Sequence, residues 1–270
     1  MFRYFFVYLC YDNHKATIYM KKILSLLITL LISAAGVSAQ NSQAQGSFFK
    51  DMNTSGYNRI YVGFNPLFVS WQDNEKANAL LCPLNSSVSA GYLRSSNIAS
   101  GLPLFLEYGA SLQYSFGEGK EEKKYASATN YSVNKAKMYS LNIPLNVALR
   151  LGFKENKISI APYAGLNMRY NIAGTIQKFK GAIINSGSSV GGGSYTTTYN
   201  LFDSSDDKSA MGEKALNRFQ LGINAGVGFT LNRLYLGVGY VGDVVKIANT
   251  PSAKYVGNLG AVTIAAGLTL

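Results

Sequence analysis

The sequence predicts an all-β fold, an eight-stranded antiparallel transmembrane β-barrel with long extracellular loops and short periplasmic turns. Three observations carry that prediction. Apolar and polar residues alternate over eight separate runs, and the segments between the runs are alternately long and short. The apolar faces also hold more bulk than the interior of an eight-stranded barrel accommodates.

The most regular run is YSLNIPLNVALRLGF, residues 139–153. Its odd positions, from Tyr139 and Leu141 through Leu145 and Leu149 to Phe153, are apolar. Its even positions are Ser140, Asn142, Pro144, Asn146, Ala148, Arg150 and Gly152. A period of two held this long means an extended strand with unlike environments on its two sides.

The other runs follow the same rule. In 58–70, Ile60, Val62, Phe64, Pro66 and Phe68 oppose Arg59, Gly63 and Asn65. The run 86–96 is the weakest, with Val88, Ala90 and Tyr92 against Ser87, Ser89 and Gly91. In 102–116, Leu104, Leu106, Tyr108, Leu112 and Tyr114 oppose Glu107, Gly109, Ser111, Gln113 and Ser115. The run 157–172 sets Ile158, Ile160, Leu166, Met168, Tyr170 and Ile172 against Ser159, Gly165, Asn167, Arg169 and Asn171. Runs 218–231, 233–245 and 259–270 complete the set, their polar faces carrying Gln220, Asn224, Thr230, Asp243, Thr263 and Thr269.

Between the runs, the connections 71–86, 117–137, 173–217 and 246–258 are long, whereas 97–101, 153–156 and Asn232-Arg233 are short. One rim therefore carries the large loops and the other only turns, as in outer-membrane barrels. The long connections include the charged stretch GEGKEEKKY (117–125) and the low-complexity stretches NSGSSVGGGSYTTTY and DSSDDKSA. Residues 57–270 are expected to form one barrel domain, preceded by a flexible leader at 40–56.

Ahead of the barrel, residues 20–39 read as a secretory signal peptide. Lys21 and Lys22 form its charged head, Ile23 to Ile32 its apolar stretch, and Val37-Ser38-Ala39 its small-residue cleavage site. Residues 1–19 precede a complete signal and are read as a mis-assigned N-terminal extension. Four of the 25 Lys+Arg residues (Arg3, Lys15, Lys21, Lys22) and one of the 14 acidic residues (Asp12) precede Gln40, which leaves a mature net charge of +8. Export to the bacterial envelope removes nucleic acid from the expected partners of that charge. The single histidine, His14, and Cys10 also lie in this segment, so Cys82 is left without a disulfide partner or a Cys/His zinc set.

Alternation alone does not say which face is the lumen, since a soluble ligand-carrying barrel turns its apolar face inward. Volume favours the opposite. Bulky side chains from eight strands overfill so narrow an interior, whereas Gly, Ser, Asn and Thr with a few long charged residues suit a polar plug. Runs of about 11–15 residues also cover the roughly 9–11 tilted residues needed to cross a bilayer. The apolar face is therefore expected to contact lipid. Strand aromatics, including Tyr57, Trp71, Tyr114, Phe116, Tyr139 and Phe153, are expected in interfacial girdles. Pro66, Pro103, Pro144 and Pro162 count against continuous ladders, and a bulge or bend at Pro144 is expected to absorb its missing N–H.

The stretches LNIPLNVALRLGF, ISIAPYAGLNMRYNIAG, FQLGINAGVGFTL and VTIAAGLTL resemble the PorT-like outer-membrane β-barrel family, whose architecture is of the OmpA/OmpX type. The resemblance covers roughly residues 57–270. It implies an eight-stranded barrel in the outer membrane of a Gram-negative bacterium and admits a role beside a protein-secretion machine.

No catalytic residue, cofactor site or metal site is expected. A mature chain without histidine lacks the base that ordinarily activates a serine nucleophile. Arg59, Glu107, Arg150, Arg169 and Asp243 share the polar face and are expected to form a lumen charge network, either neutralising one another or lining a narrow ion path. The expected role is a structural or accessory envelope component, with a surface adhesin using residues 173–217, or a narrow pore, as alternatives. Expected partners are outer-membrane lipid and lipopolysaccharide, the barrel-assembly machinery, and an envelope protein of unidentified kind.

Overall fold

Among the described residues, eleven strands pair antiparallel in one sheet that closes on itself. They are β1 (Asn58–Gln72), β2 (Ser86–Asn97), β3 (Leu104–Lys124), β4 (Ala128–Leu149), β5 (Leu151–Phe153), β6 (Ile158–Ser186), β7 (Ser189–Asn200), β8 (Phe219–Leu231), β9 (Leu234–Asp243), β10 (Ala248–Asn249) and β11 (Val256–Thr269). This computed structural model describes residues 54–72, 84–99, 101–124, 128–153, 157–186, 189–202, 216–245, 248–249 and 256–270. Residues 1–19, the signal peptide, leader residues 40–53 and Cys82 lie outside those residues.

Eight staves make the wall, in the order β1–β2–β3–β4–β6–β8–β9–β11, and β11 pairs back onto β1 to close it. β5 continues the line of β4 after a break at Arg150, since both pair with β6. At the rim, Asn58 and Leu270 exchange backbone hydrogen bonds of 3.2 and 2.8 Å, so the barrel's first and last staves end together. The short turns lie at this same rim. The tightest, Asn232-Arg233, turns through the left-handed backbone of Asn232 (φ 53°), which Asn tolerates better than most residues.

The two faces sort as the alternation requires. On β4, Ser140, Asn142, Pro144, Asn146 and Ala148 are buried, while Tyr139, Ile143, Leu145 and Val147 are exposed. The same division holds around the wall, with Val62, Leu112, Val238 and Ile264 exposed and Asn65, Gln113, Asn167 and Asn224 buried. The result is a polar interior wrapped in an apolar exterior, the inverse of a water-soluble fold. A continuous exposed apolar belt of this kind is a surface built for lipid.

The strands run further than the alternation alone indicates. The stretches expected as loops at 117–137 and 173–217 are largely strand. β3 extends to Lys124, β4 begins at Ala128, β6 extends to Ser186 and β7 is an added strand holding VGGGS. Because β2 stops opposite Phe116, a four-stranded sheet β3–β4–β6–β7 projects beyond the rest of the long-loop end. Glu118 and Lys135 face each other in it, with an exposed 3.6 Å ion pair.

The reason β6 seems to stop at Ile172 is a β-bulge. Tyr139 opposes Ala173 and Ser140 opposes Asn171, so Ile172 is the extra residue. The insertion reverses the parity of β6. Asn167, Arg169 and Asn171 point inward before it, Gly174 and Ile176 after it. A strict period-two reading ends where the phase slips.

Of the bulge or bend expected at Pro144, the bulge is absent. Its pairing to β6 is uninterrupted, while the β3 ladder is open between Tyr108↔Leu145 and Ser111↔Asn142 and then resumes in the same register. Pro66 and Pro162 do likewise. The β1–β11 ladder is open between Phe64↔Ile264 and Leu67↔Ala261, and the ladder to β6 between Ala148↔Tyr163 and Leu151↔Ile160. Each proline thus opens one ladder over two residues without shifting it, and Pro103 precedes β3 altogether. Opposite Pro144, Gly109 permits a close wall bend, because a Cβ there would meet the Tyr92 carbonyl oxygen at 2.0 Å.

Candidate functional site

The five charged residues expected to face the lumen are brought inside by four staves and one strand break. Arg59 comes from β1, Glu107 from β3, Arg169 from β6 and Asp243 from β9; Arg150 sits between β4 and β5. They form two separate clusters rather than one network.

The cluster nearer the short-turn rim centres on Glu107. Arg59 Nη1 lies 3.2 Å from Glu107 Oε1, and the Tyr57 hydroxyl donates to the same oxygen at 2.5 Å. The Arg59 guanidinium stacks 3.7 Å from the Tyr235 ring centre, and that of Arg150 lies 4.7 Å from the Tyr57 ring. Arg150 also donates from Nε to Ser159 Oγ at 3.3 Å. Tyr57 therefore does not belong to an interfacial girdle. It is buried, turned inward, and anchored by its N–H to Ser95 Oγ. Trp71 lies on β1, and the outer face does carry the Tyr114–Tyr139 and Tyr114–Phe116 ring pairs at 4.9 and 5.5 Å.

The second cluster is a bidentate pair. Arg169 Nη2 and Nη1 donate to the two carboxylate oxygens of Asp243 at 3.0 and 3.1 Å. Its Nε donates to Asn142 Oδ1 at 3.2 Å, and Nη1 also reaches Gln220 Oε1 at 3.2 Å. From Asn142 the chain continues through Gln113 to Ser87, with bonds of 2.9 and 2.8 Å. A single line of side chains thus crosses the lumen from β2 to β9. Each member supplies what its neighbour needs, which is the condition for holding charge away from water.

Between the clusters lies a cavity of about 100 Å³, lined by Arg59, Glu107, Asn146, Asn224 and Arg169 among others. That is room for a few water molecules.

Nothing in the alternation pointed to what closes the other end. Toward the long-loop end the inward positions turn apolar, and Leu67, Met138, Ile176 and Leu259 pack with Leu201, Phe202 and Leu216. Leu201, Phe202 and Leu216 fold back over the lumen. Leu201 N–H donates to Gly174 O at 3.0 Å, and Leu216 N–H donates to Leu201 O at 2.9 Å. A Cβ at Gly174 would lie 2.9 Å from both Leu201 and Phe202, so glycine lets the cap pack this closely without moving those side chains. Arg218 donates to the carbonyls of Ile172 (2.6 Å) and Asn171 (3.3 Å) at the bulge, and its guanidinium stacks 4.8 Å from the Phe202 ring. The lumen is therefore polar only in part, and an apolar cap seals its outer portion. The signal in the sequence was the run Leu201-Phe202 inside a polar stretch.

Chemically the site is a set of paired charges, with Arg59 Nε, Asn146 Oδ1 and Asn224 Oδ1 left without a protein partner beside the cavity. Among the described residues no group of three His, Cys, Asp or Glu side chains is arranged to hold a metal ion. On the projecting sheet, outside the membrane, Lys178 sits 5.0 Å from the Tyr199 ring; burial, then Lys180, lowers its pKa below the ordinary lysine value.

No family model matches the chain, and no curated protein matches it. Solved structures do show a likeness. The chain is similar to Ail, the attachment invasion locus protein of Yersinia pestis, at 9% identity over 80% of this chain and 99% of that one, with a TM-score of 0.30. It is also similar to Ail in complex with the heparin analogue sucrose octasulfate (10% identity, 80% and 99% coverage, TM-score 0.24). A third is Neisserial surface protein A (14% identity, 78% and 96% coverage, TM-score 0.26). The fold assignment rests on the closed strand pairing itself.

The lumen pairing predicts a specific pattern of stability. Arg169→Met leaves Asp243 buried and unpaired and should cost about 3–5 kcal/mol. The double variant Arg169→Met/Asp243→Leu should recover most of that loss. Urea unfolding of the lipid-reconstituted barrel measures both, and additive losses would contradict the pairing.

Proposed function

We propose that this chain is a non-enzymatic integral outer-membrane barrel, a structural or accessory component of a Gram-negative envelope. The observation that carries the reading is the inverted sorting of side chains, with an exposed apolar belt outside and paired charges inside. The short-turn rim lies on the periplasmic side in this reading, and the projecting sheet lies outside the cell. Its lipid-facing belt meets membrane lipid, lipopolysaccharide surrounds the outer rim, and the barrel-assembly machinery inserts it. The PorT-like motifs support a place beside a protein-secretion machine, through an envelope partner that copurification from native membranes identifies.

The pore alternative is disfavoured by the filled interior, since a 100 Å³ cavity between ion pairs and an apolar cap offers an ion no continuous wet path. The membrane-extracted mature protein should migrate heat-modifiably on gels and give silent planar bilayers. Recovery in the soluble periplasm would overturn the membrane reading, and steady conductance would overturn the sealed lumen.

A second reading, surface binding, is favoured by the β3–β4–β6–β7 sheet that stands clear of the barrel. Lys178 and Thr197 are register partners, so replacing residues 179–196 by an Asn-Gly turn shortens the hairpin without shifting it. On this reading the shortened barrel folds and loses adhesion to cells or matrix. Unchanged adhesion by the shortened form would rule the hairpin out as the binding element.

A further inference from the structure

At the short-turn rim, on the outer face, lies a cation that the lumen does not use. Arg94 shares the outward parity of Val88, Ala90 and Tyr92 on β2 and is exposed. Its register partners are Asn58 on β1 and Tyr108 on β3, so it stands at the centre of three adjacent staves. On one side the Tyr92 hydroxyl donates to Asn58 Oδ1 at 2.8 Å; on the other the Tyr108 hydroxyl lies 3.5 Å from Ser96 Oγ. Arg94 itself has no hydrogen-bond or ion-pair acceptor among the described residues.

The surroundings define what such a group meets. Immediately along the wall the outward face becomes Ala90, Val88 and Leu112, so Arg94 and its two tyrosines mark the edge of the apolar belt. Tyrosines at such an edge sit at headgroup depth, with ring in hydrocarbon and hydroxyl in the polar layer. Two more exposed cations, Lys157 and Arg233, belong to the other two turns of this rim. Among the described residues the rim's one side-chain carboxylate, Glu107, is buried and faces inward. Among the described residues, the outward charged side chains of this rim are therefore cationic. The Tyr92 proton is held by Asn58, but the Tyr108 hydroxyl can accept from Ser96 and donate outward, so the guanidinium's two parallel N–H donors and this hydroxyl together match a phosphate.

We propose that Arg94, with the Tyr108 hydroxyl beside it, binds the phosphate of an anionic phospholipid headgroup in the leaflet that meets the short-turn rim. The site rests on the membrane reading above and gives it a lipid contact of defined chemistry. It also accounts for an arginine on a lipid-facing parity, where an unpaired charge is otherwise costly.

Native mass spectrometry of the folded full-length protein in detergent, titrated with phosphatidylglycerol, tests the site. Wild type should retain the lipid about tenfold more strongly than Arg94→Gln, the loss expected for a charge-assisted contact. Arg94→Lys should be intermediate, since a point charge lacks the bidentate fork. Diacylglycerol, which has no phosphate, should be retained equally poorly by wild type and Arg94→Gln, and excess inorganic phosphate should not displace the phospholipid. Equal retention of phosphatidylglycerol by wild type and Arg94→Gln would overturn the site, as would displacement by inorganic phosphate alone. Heat-modifiable migration, read on the same samples, separates the two claims. Its presence together with equal retention sinks only the Arg94 site, and its absence from wild type sinks the membrane reading and the site together.

Discussion

Inside a bilayer no water is available to satisfy a backbone N–H or carbonyl, and each one left unpaired costs several kcal/mol. A sheet meets that constraint only by closing on itself. Here closure is made by β1 pairing with β11, and the rest of the architecture follows from it. Eight staves closed this way enclose little space, so the inward positions must be small or must share one narrow volume. Bulky apolar side chains are left the outside, where acyl chains receive them. The prolines show how far the constraint bends. Pro66, Pro144 and Pro162 each remove a donor from one ladder, across a two-residue opening that keeps the register and the neighbouring ladder.

Closure also dictates the interior chemistry. Charges packed away from water must be paired, and the lumen does this in two clusters held by different staves. Arg169 and Asp243 tie β6 to β9, and Arg59 and Glu107 tie β1 to β3, so each pair links staves that share no ladder. Such ties act as internal struts across the barrel. Above them the chain changes strategy and uses Leu, Met, Ile and Phe side chains as a dry cap. A polar strut below and an apolar seal above leave a wall whose two surfaces, rather than its bore, are available for function.

Much of this was legible in the sequence because one periodicity encodes two things at once. The alternation from Tyr139 to Phe153 gave both the strand and its orientation, and Asn142, Asn146 and Leu145 lie where it placed them. The charged residues on the polar face were also readable, and all five face the lumen or its mouth. What the alternation did not encode is phase change and long-range pairing. The bulge at Ile172 resets the parity, so fourteen further residues of β6 read as loop. The projecting stretches carry no sustained period-two alternation, and Gly- and Thr-rich stretches such as β7 lack the contrast that a half-buried strand shows. Tyr57 misled for a different reason: an aromatic at a strand end suits a girdle, but its hydroxyl is claimed by Glu107 across the lumen.

The central claim is that the exposed apolar belt is in contact with acyl chains. With Trp71, the only tryptophan, replaced by Phe, single tryptophans at Val62, Leu112, Leu145, Val238 and Ile264 sample five staves of the belt. After reconstitution into vesicles of mid-chain brominated lipid, all five should be strongly quenched. Emission unchanged by bromination, with the character of tryptophan in water, would contradict the account.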